Sequence, residues 1–245
     1  MDRAEPIDHA VVLAAGNGDR FHSHPPRSKL LATIGGMPLL VRTLTAAFEA
    51  GVRNAHVILG YDADCVRAAA IGGAPPHLTL SFHMNDQWRQ ENGLSLLAAR
   101  PFMNGSPFAL LMGDHLFDPA VLKQLLSAAA GQRETLLAID PRPTHPRIAE
   151  EATKVKLDGD RVIAIGKSLA AYDALDTGLF VCQRSVFEAT EQACARGDTT
   201  LSGGIRGLAA KRLIRGVEIG DREWCDIDTV EDLQTARMLL EGRTS

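Results

Sequence analysis

Three separated groups of residues carry types that could act together on a phosphate compound. Gly16-Asn17-Gly18-Asp19-Arg20 follows directly on the apolar run Ala10–Ala15, and Lys29 comes within the same loop. Glycines just past a buried strand let the backbone approach a ligand, with amide hydrogens free for phosphate oxygens. Arg20 and Lys29 add fixed cations at that place. Asp114 ends a second apolar run, Phe108–Met112, and a further acid cluster, Trp224-Cys225-Asp226-Ile227-Asp228-Thr229, comes immediately before a helical pattern. Two separated carboxylates near a triphosphate make a Mg²⁺ site, because that ion takes one or two carboxylates together with phosphate oxygens and water. The chemistry indicated is the binding of a polyphosphate with a metal ion beside it. The plainer alternatives are a Gly-rich turn without a ligand, an acid that caps a helix at Asp114, and a turn acid at Asp228.

The elements that must position these residues follow from periodicity. Ala10–Ala15 has the length of a fully buried strand, and ligands of open α/β sheets bind at the carboxyl ends of such strands. A helix over Leu39–Phe48 closes at Gly51; strands fall at His56–Gly60, Leu78–Phe82 and Phe108–Met112, with helices at Asp62–Ala70 and Leu94–Ala99 between them. In the second half, Thr135–Ile139 is a strand and Pro141, Pro143 and Pro146 mark an irregular connection. Lys154–Leu157 and Val162–Gly166 form a hairpin about Asp158-Gly159-Asp160. Asp176–Val181 returns to the sheet, helices run over Ser185–Ala195 and Gly203–Ala210, and Leu213–Ile219 is a strand. Thr229 caps a closing helix to Leu240, with Glu231 and Asp232 in its first turn. The fold class expected is α/β: one Rossmann-like domain over residues 1–245, with a mainly parallel mixed sheet flanked by helices and the hairpin inserted over the active site.

Composition narrows the partners. At 245 residues, 45% hydrophobic and 23% charged, with a net charge of −4, the chain has the balance of a globular protein and little affinity for nucleic acid or acidic membranes. No apolar run approaches the roughly 18 residues that span a bilayer, and Met1–Pro6 lacks the apolar core of a signal peptide, so a cytoplasmic location is expected. Cys65, Cys182, Cys194 and Cys225 are scattered without a C-x-x-C pair and read as free thiols. His22 and His24 form H-x-H in a Pro-containing loop but lack a third ligand. Phe21 stands where a third glycine would complete G-x-G-x-x-G, which argues against a dinucleotide-binding loop, and the spacing excludes G-x-x-x-x-G-K-[ST].

Leu13 to Phe21 resembles, position by position, the signature L-A-A-G-x-G-x-R-[FM] of nucleotidyltransferases that activate sugar phosphates and related phosphomonoesters, the molybdenum-cofactor-guanylyltransferase-like NTP transferases. Asp19 is the departure, where these proteins usually carry Ser or Thr. The resemblance implies that Leu13, Ala14, Ala15, Gly16, Asn17 and Gly18 hold the nucleotide, with Asn92, Gly93 and Ser95 near the base. It implies metal-binding roles for Asp114 and Asp226, and that Arg20, Lys29 and Lys167 are catalytic cations, Lys167 neutralising the acceptor phosphate. Met112–His115, Glu151–Val155, Ile165–Leu169, Tyr172–Gly178 and Trp224–Thr229 are similar to the cytidylyltransferases that make CDP-inositol from CTP and inositol 1-phosphate. This places Asp176, Thr177 and Gly178 at the acceptor. The partners implied are CTP and a small phosphorylated alcohol. In many members the domain is fused to a membrane CDP-alcohol phosphotransferase; this sequence has no such half, so a link to a separate one is expected. Phosphocholine or phosphonate cytidylyltransfer, hexose-1-phosphate nucleotidyl transfer, and a non-catalytic nucleotide sensor are the rival functions. Lys29, as a loop residue, is expected to contribute little to the core.

Overall fold

The computed structural model describes residues 6–18, 21, 27–142 and 152–241. Strand β1 (His9–Ala14) is followed by a 3-10 turn at Lys29–Leu31, a short hairpin of β2 (Thr33–Ile34) and β3 (Met37–Pro38), and helix α1 (Leu39–Ala50). Then come β4 (Asn54–Leu59), α2 (Ala63–Gly73), β5 (Thr79–Met84), α3 (Asn92–Ala99) and β6 (Phe108–Met112). The chain continues through β7 (His115–Phe117), α4 (Pro119–Ala129), β8 (Thr135–Asp140), β9 (Lys154–Asp158), β10 (Arg161–Gly166) and β11 (Ala174–Cys182). Helices α5 (Ser185–Ala195) and α6 (Leu201–Ala210), strands β12 (Ile214–Glu218) and β13 (Trp224–Asp226), and helix α7 (Val230–Glu241) complete it.

Nine strands form one sheet in the order β5-β4-β1-β6-β11-β8-β12-β10-β9. The first four are parallel, and only β11 and β10 run against the rest. β1 lies between β4 and β6, which explains its unbroken apolar sequence: alternate residues face opposite layers. Ala10, Val12 and Ala14 pack with α1 and α4, whereas Val11 and Leu13 pack with α3, α5 and α6. Gly51 ends α1 in a left-handed conformation, φ 119°, with its N–H returned to Ala47 and Phe48. Residues 119–129, unassigned from the sequence, form α4: Asp118 caps Ala120 N at 2.9 Å and Pro119 occupies the first turn, while Val121, Leu122, Leu125 and Leu126 are buried.

The hairpin exists, but not as a flap over the site. β10 pairs with β12, and the amino end of β9 returns to β11, so both strands complete the far edge of the main sheet. A free two-stranded ribbon is marginal in water, and these edges satisfy its backbone groups. Arg161 at the turn pairs with Arg215, itself level with Leu136 at the amino end of β8, so the turn points away from the strands' carboxyl ends. Only the open ends, at Thr153 and Lys167, reach the pocket described below.

Three histidines on neighbouring strands form a hydrogen-bonded chain, His9 Nδ1 to His56 Nε2 at 3.4 Å and His56 Nδ1 to His83 Nε2 at 3.0 Å. Burial, then the neighbouring His83 and His9, holds the His56 pKa below its ordinary value, and burial does the same for His83. A histidine whose pKa is depressed by folding favours the unfolded state once protonated. Its stability contribution is present above the unfolded pKa of about 6.5 and is lost as pH falls below that. Thermal unfolding should therefore show a decline between about pH 7 and pH 5 that His56→Gln flattens; an unchanged slope in the variant would exclude the chain as its source.

Candidate active site

A cavity of about 410 Å³ opens at the carboxyl ends of the strands, among β6, β11, β13 and the start of α6. Its wall includes Asp114, His115, Asp226 and Asp228, and also Asn92, Lys167, Asp176 and Gly178. The first loop lies alongside. Gly18 adopts φ +64°, and a Cβ there would stand 3.0 Å from Cγ of Lys29, so the loop folds directly over the lysine stem. Arg20, Asp19, His22 and His24 lie outside the described residues. Gly16 has open space where a Cβ would be, whereas the carbonyls of Leu13 and Ala15 accept from Gly113 N and Tyr61 N.

Lys29 is buried rather than a solvated loop residue. Its Nζ lies 2.6 Å from Asp114 Oδ2 and 2.6 Å from Asp228 Oδ1. Burial works to lower its pKa, but the charges of Asp114, Asp228 and Asp226 outweigh that and hold it above the usual lysine range. Burial likewise pushes the Asp114 carboxyl up, and Lys29 and His115 bring it below its ordinary value. Asp228, for which a turn acid is the plainer alternative in the sequence, is thus one of the two anchors of the lysine. Its neighbour Asp232 completes a capping box with Thr229: Asp232 Oδ2 accepts from Thr229 N at 2.7 Å, and Asp232 N donates to Thr229 Oγ1 at 3.2 Å.

Asp226 reaches Asp114 through a small antiparallel pair outside the main sheet. In the β7–β13 register, Asp226 faces His115, Cys225 faces Leu116 and Trp224 faces Phe117. Trp224 Nε1 donates to Asp140 Oδ2 at 2.9 Å, tying β13 to the end of β8. One donor atom each from Asp114, His115 and Asp226 lie within 4.8 Å of one another, a spacing that a cation could draw together. In the sequence His115 stands out only as the last residue of Met112–His115. Its Nδ1 donates to the Thr177 carbonyl at 2.9 Å, and its Nε2 is 3.4 Å from Asp226 Oδ1. Burial opposes its charge, but Asp226 above all, then Asp114, lift its pKa to about 9. Gly178 makes room for the ring: at φ +75°, a Cβ would fall 2.2 Å from His115 Cε1.

The remaining expected residues divide. Asn92 lines the cavity, but its Oδ1 accepts from Leu201 N at 2.9 Å. Gly93 N donates to Thr199 O, and a Cβ there would meet that oxygen at 2.5 Å. This pair clamps α3 against the start of α6. Ser95 and Thr177 turn inward: Ser95 Oγ accepts from Asn85 Nδ2 at 3.0 Å, and Thr177 Oγ1 donates to Ala138 O at 2.9 Å. Their hydroxyls satisfy buried backbone and side-chain groups, which the sequence pattern alone did not distinguish from ligand contacts.

Asp176 faces the cavity with its Oδ1 accepting from Gly178 N at 2.8 Å. Burial pushes its carboxyl up to about 6, against the pull of that N–H and of His115. An acid whose pKa is raised by folding contributes stability below the unfolded value and loses it as pH rises through the folded one. Ionised Asp176 therefore weakens the ligand-free protein at neutral pH. Asp176→Asn should raise thermal stability at pH 7 by on the order of 1–3 kcal/mol and hardly change it near pH 4. Equal changes at both pH values would mean that the effect is not electrostatic.

The chain has the fold of solved nucleotidyltransferases. The inositol-1-phosphate CTP transferase structure from T. maritima superposes with a TM-score of 0.85 at 22% identity, covering 97% of this chain and 96% of that one. The MobA-like NTP transferase domain model matches residues 10–202, and the chain belongs to that family. A bifunctional IPC transferase and DIPP synthase from Rubrobacter xylanophilus is 31% identical over 235 residues, 95% of this chain and 52% of that protein. A protein of the same name from Aquifex aeolicus is 30% identical over 236 residues, 96% of this chain and 52% of that one. The chain thus spans about half the length of these curated relatives. No helix among the described residues is long and apolar enough to cross a membrane.

Proposed function

We propose that the chain transfers CMP from CTP to inositol 1-phosphate, giving CDP-inositol and pyrophosphate, in the cytoplasm. The product would feed a membrane-bound CDP-alcohol phosphotransferase. The observation that carries the reading is the meeting, in one cavity, of Asp114, Asp226, Asp228 and Lys167, with Lys29 paired to Asp114 and Asp228 behind the wall. The name of the T. maritima inositol-1-phosphate CTP transferase, taken with the IPC transferase relatives, directs the choice of nucleotide and acceptor.

A divalent cation fits the residues present. The cavity is lined by Glu91, Asp114, Asp176, Asp226, Asp228 and Asp232, so a polyphosphate would meet mainly like charge without one. Asp114 and Asp226 would hold it, and Mg²⁺ bound there would neutralise phosphate charge at the transfer point. An ionised oxygen of the acceptor phosphate attacks the α-phosphorus in line. The new P–O bond forms as the bond to the β-phosphate oxygen breaks, and the electron pair leaves with pyrophosphate. Because the nucleophile is already ionised, no general base is required, and catalysis is positioning and charge stabilisation. Lys29 steadies the α-phosphate side, Arg20 the departing pyrophosphate and Lys167 the acceptor phosphate. Asp176 accepts from an acceptor hydroxyl.

Pyrophosphate release, measured for four nucleotides against inositol 1-phosphate, phosphocholine, aminoethylphosphonate and glucose 1-phosphate, tests the assignment. Turnover restricted to CTP with inositol 1-phosphate is expected; another preferred pair would reassign the substrate, and nucleotide binding without release would make the chain a sensor. Lys167→Ala should raise the acceptor KM more than it weakens CTP binding. The reverse pattern would exchange the roles assigned along the cavity.

A further inference from the structure

We propose that His115 supplies a third protein ligand to the metal position, and that the site binds Mn²⁺ or Co²⁺ more tightly than Mg²⁺. The inference rests on the reading of Asp114 and Asp226 as the metal-holding pair and adds the identity of the ion. Geometry supports it in three ways. First, the donor atoms converge. Lys29 occupies Oδ2 of Asp114, while Oδ1 lies 3.8 Å from His115 Nε2, which in turn lies 3.4 Å from Asp226 Oδ1. Adjacent ligands of an octahedral ion stand about 3 Å apart for metal–ligand bonds of about 2.1 Å, so small side-chain movements would close the set.

Second, the ring is held from behind. Nδ1 donates to the Thr177 carbonyl at 2.9 Å, which directs Nε2 toward the two acids. A metal-bound histidine commonly has its other N–H fixed in this way by a backbone carbonyl or carboxylate. Third, the surrounding backbone is shaped for the ring. β11 shifts register between Asp176 and Phe180 where it pairs with β8, and Gly178 within that irregularity leaves the space that the imidazole fills.

The chemistry follows from the donor set. Mg²⁺ is hard, prefers oxygen and keeps several waters, whereas imidazole nitrogen suits first-row transition ions. The test uses the full chain with Mn²⁺, Co²⁺ or Mg²⁺ and inorganic pyrophosphate, which contains no nitrogen. Pulsed EPR of bound Mn²⁺ should show nitrogen coupling in the unaltered protein. Titration calorimetry should give Mn²⁺ and Co²⁺ an advantage over Mg²⁺ of about tenfold or more, largely lost in His115→Asn. Bound Mn²⁺ without nitrogen coupling, or an unchanged ion preference in the variant, would overturn the role of His115 while leaving the acid pair. Failure of Mn²⁺ to bind, or binding equal to that of Asp114→Asn, would overturn the metal reading itself.

Discussion

Lys29→Ala is expected to lower the unfolding free energy by about 3–5 kcal/mol, as breaking a buried ion pair from one side does, and to cut nucleotidyl transfer by about 10²-fold or more. The side chain is only 10% exposed, and its ammonium bridges Asp114 and Asp228. Removing it leaves two carboxylates facing each other in a poorly solvated place, while its stem vacates the contact with Gly18. Lys29→Met separates the two effects because it retains the stem and deletes the charge. Chemical denaturation and pyrophosphate release, measured on both variants, provide the check. If Lys29→Met matched the parent in stability, the charge would contribute nothing to the fold. Activity within a few-fold of the parent would remove Lys29 from the mechanism.

Asp114→Asn and Asp226→Asn should each abolish metal-dependent turnover, and the double variant should lose little beyond either single one, because both changes remove the same ion. Their effects on stability should differ. Asp114 is ion-paired to buried Lys29, so its loss should destabilise by a few kcal/mol, on the order found for half-broken buried pairs. The Asp226 side chain is 45% exposed, so its variant should unfold close to the parent temperature. Initial rates against Mg²⁺ concentration, with melting temperatures beside them, distinguish the cases. Fully additive rate losses would mean that the two acids act separately.

The sequence by itself determined the layers of the fold and the chemical vocabulary of the site. Ala10–Ala15 is apolar at every position and of the length of a strand buried on both faces, and β1 is that strand between β4 and β6. Gly51 marked the end of α1, and Asp158-Gly159-Asp160 marked the turn between β9 and β10, because these signals act over a few residues. Asp118-Pro119 carries an equally local start signal for α4.

Tertiary structure decided the partnerships. Lys29 and Asp228 are 199 residues apart in sequence, and no local pattern distinguishes an acid that anchors a buried lysine from one that merely turns the chain. Asp226 meets His115 only through the register of two three-residue strands, and a slip of one residue would turn the carboxylate to the other face. Asp228, His115 and Gly178 acquired their roles, and Ser95 and Thr177 turned inward, because hydrogen bonds and buried charges are settled by whichever groups packing brings within about 3 Å. That proximity is a property of the folded chain, and spacing along the sequence does not encode it.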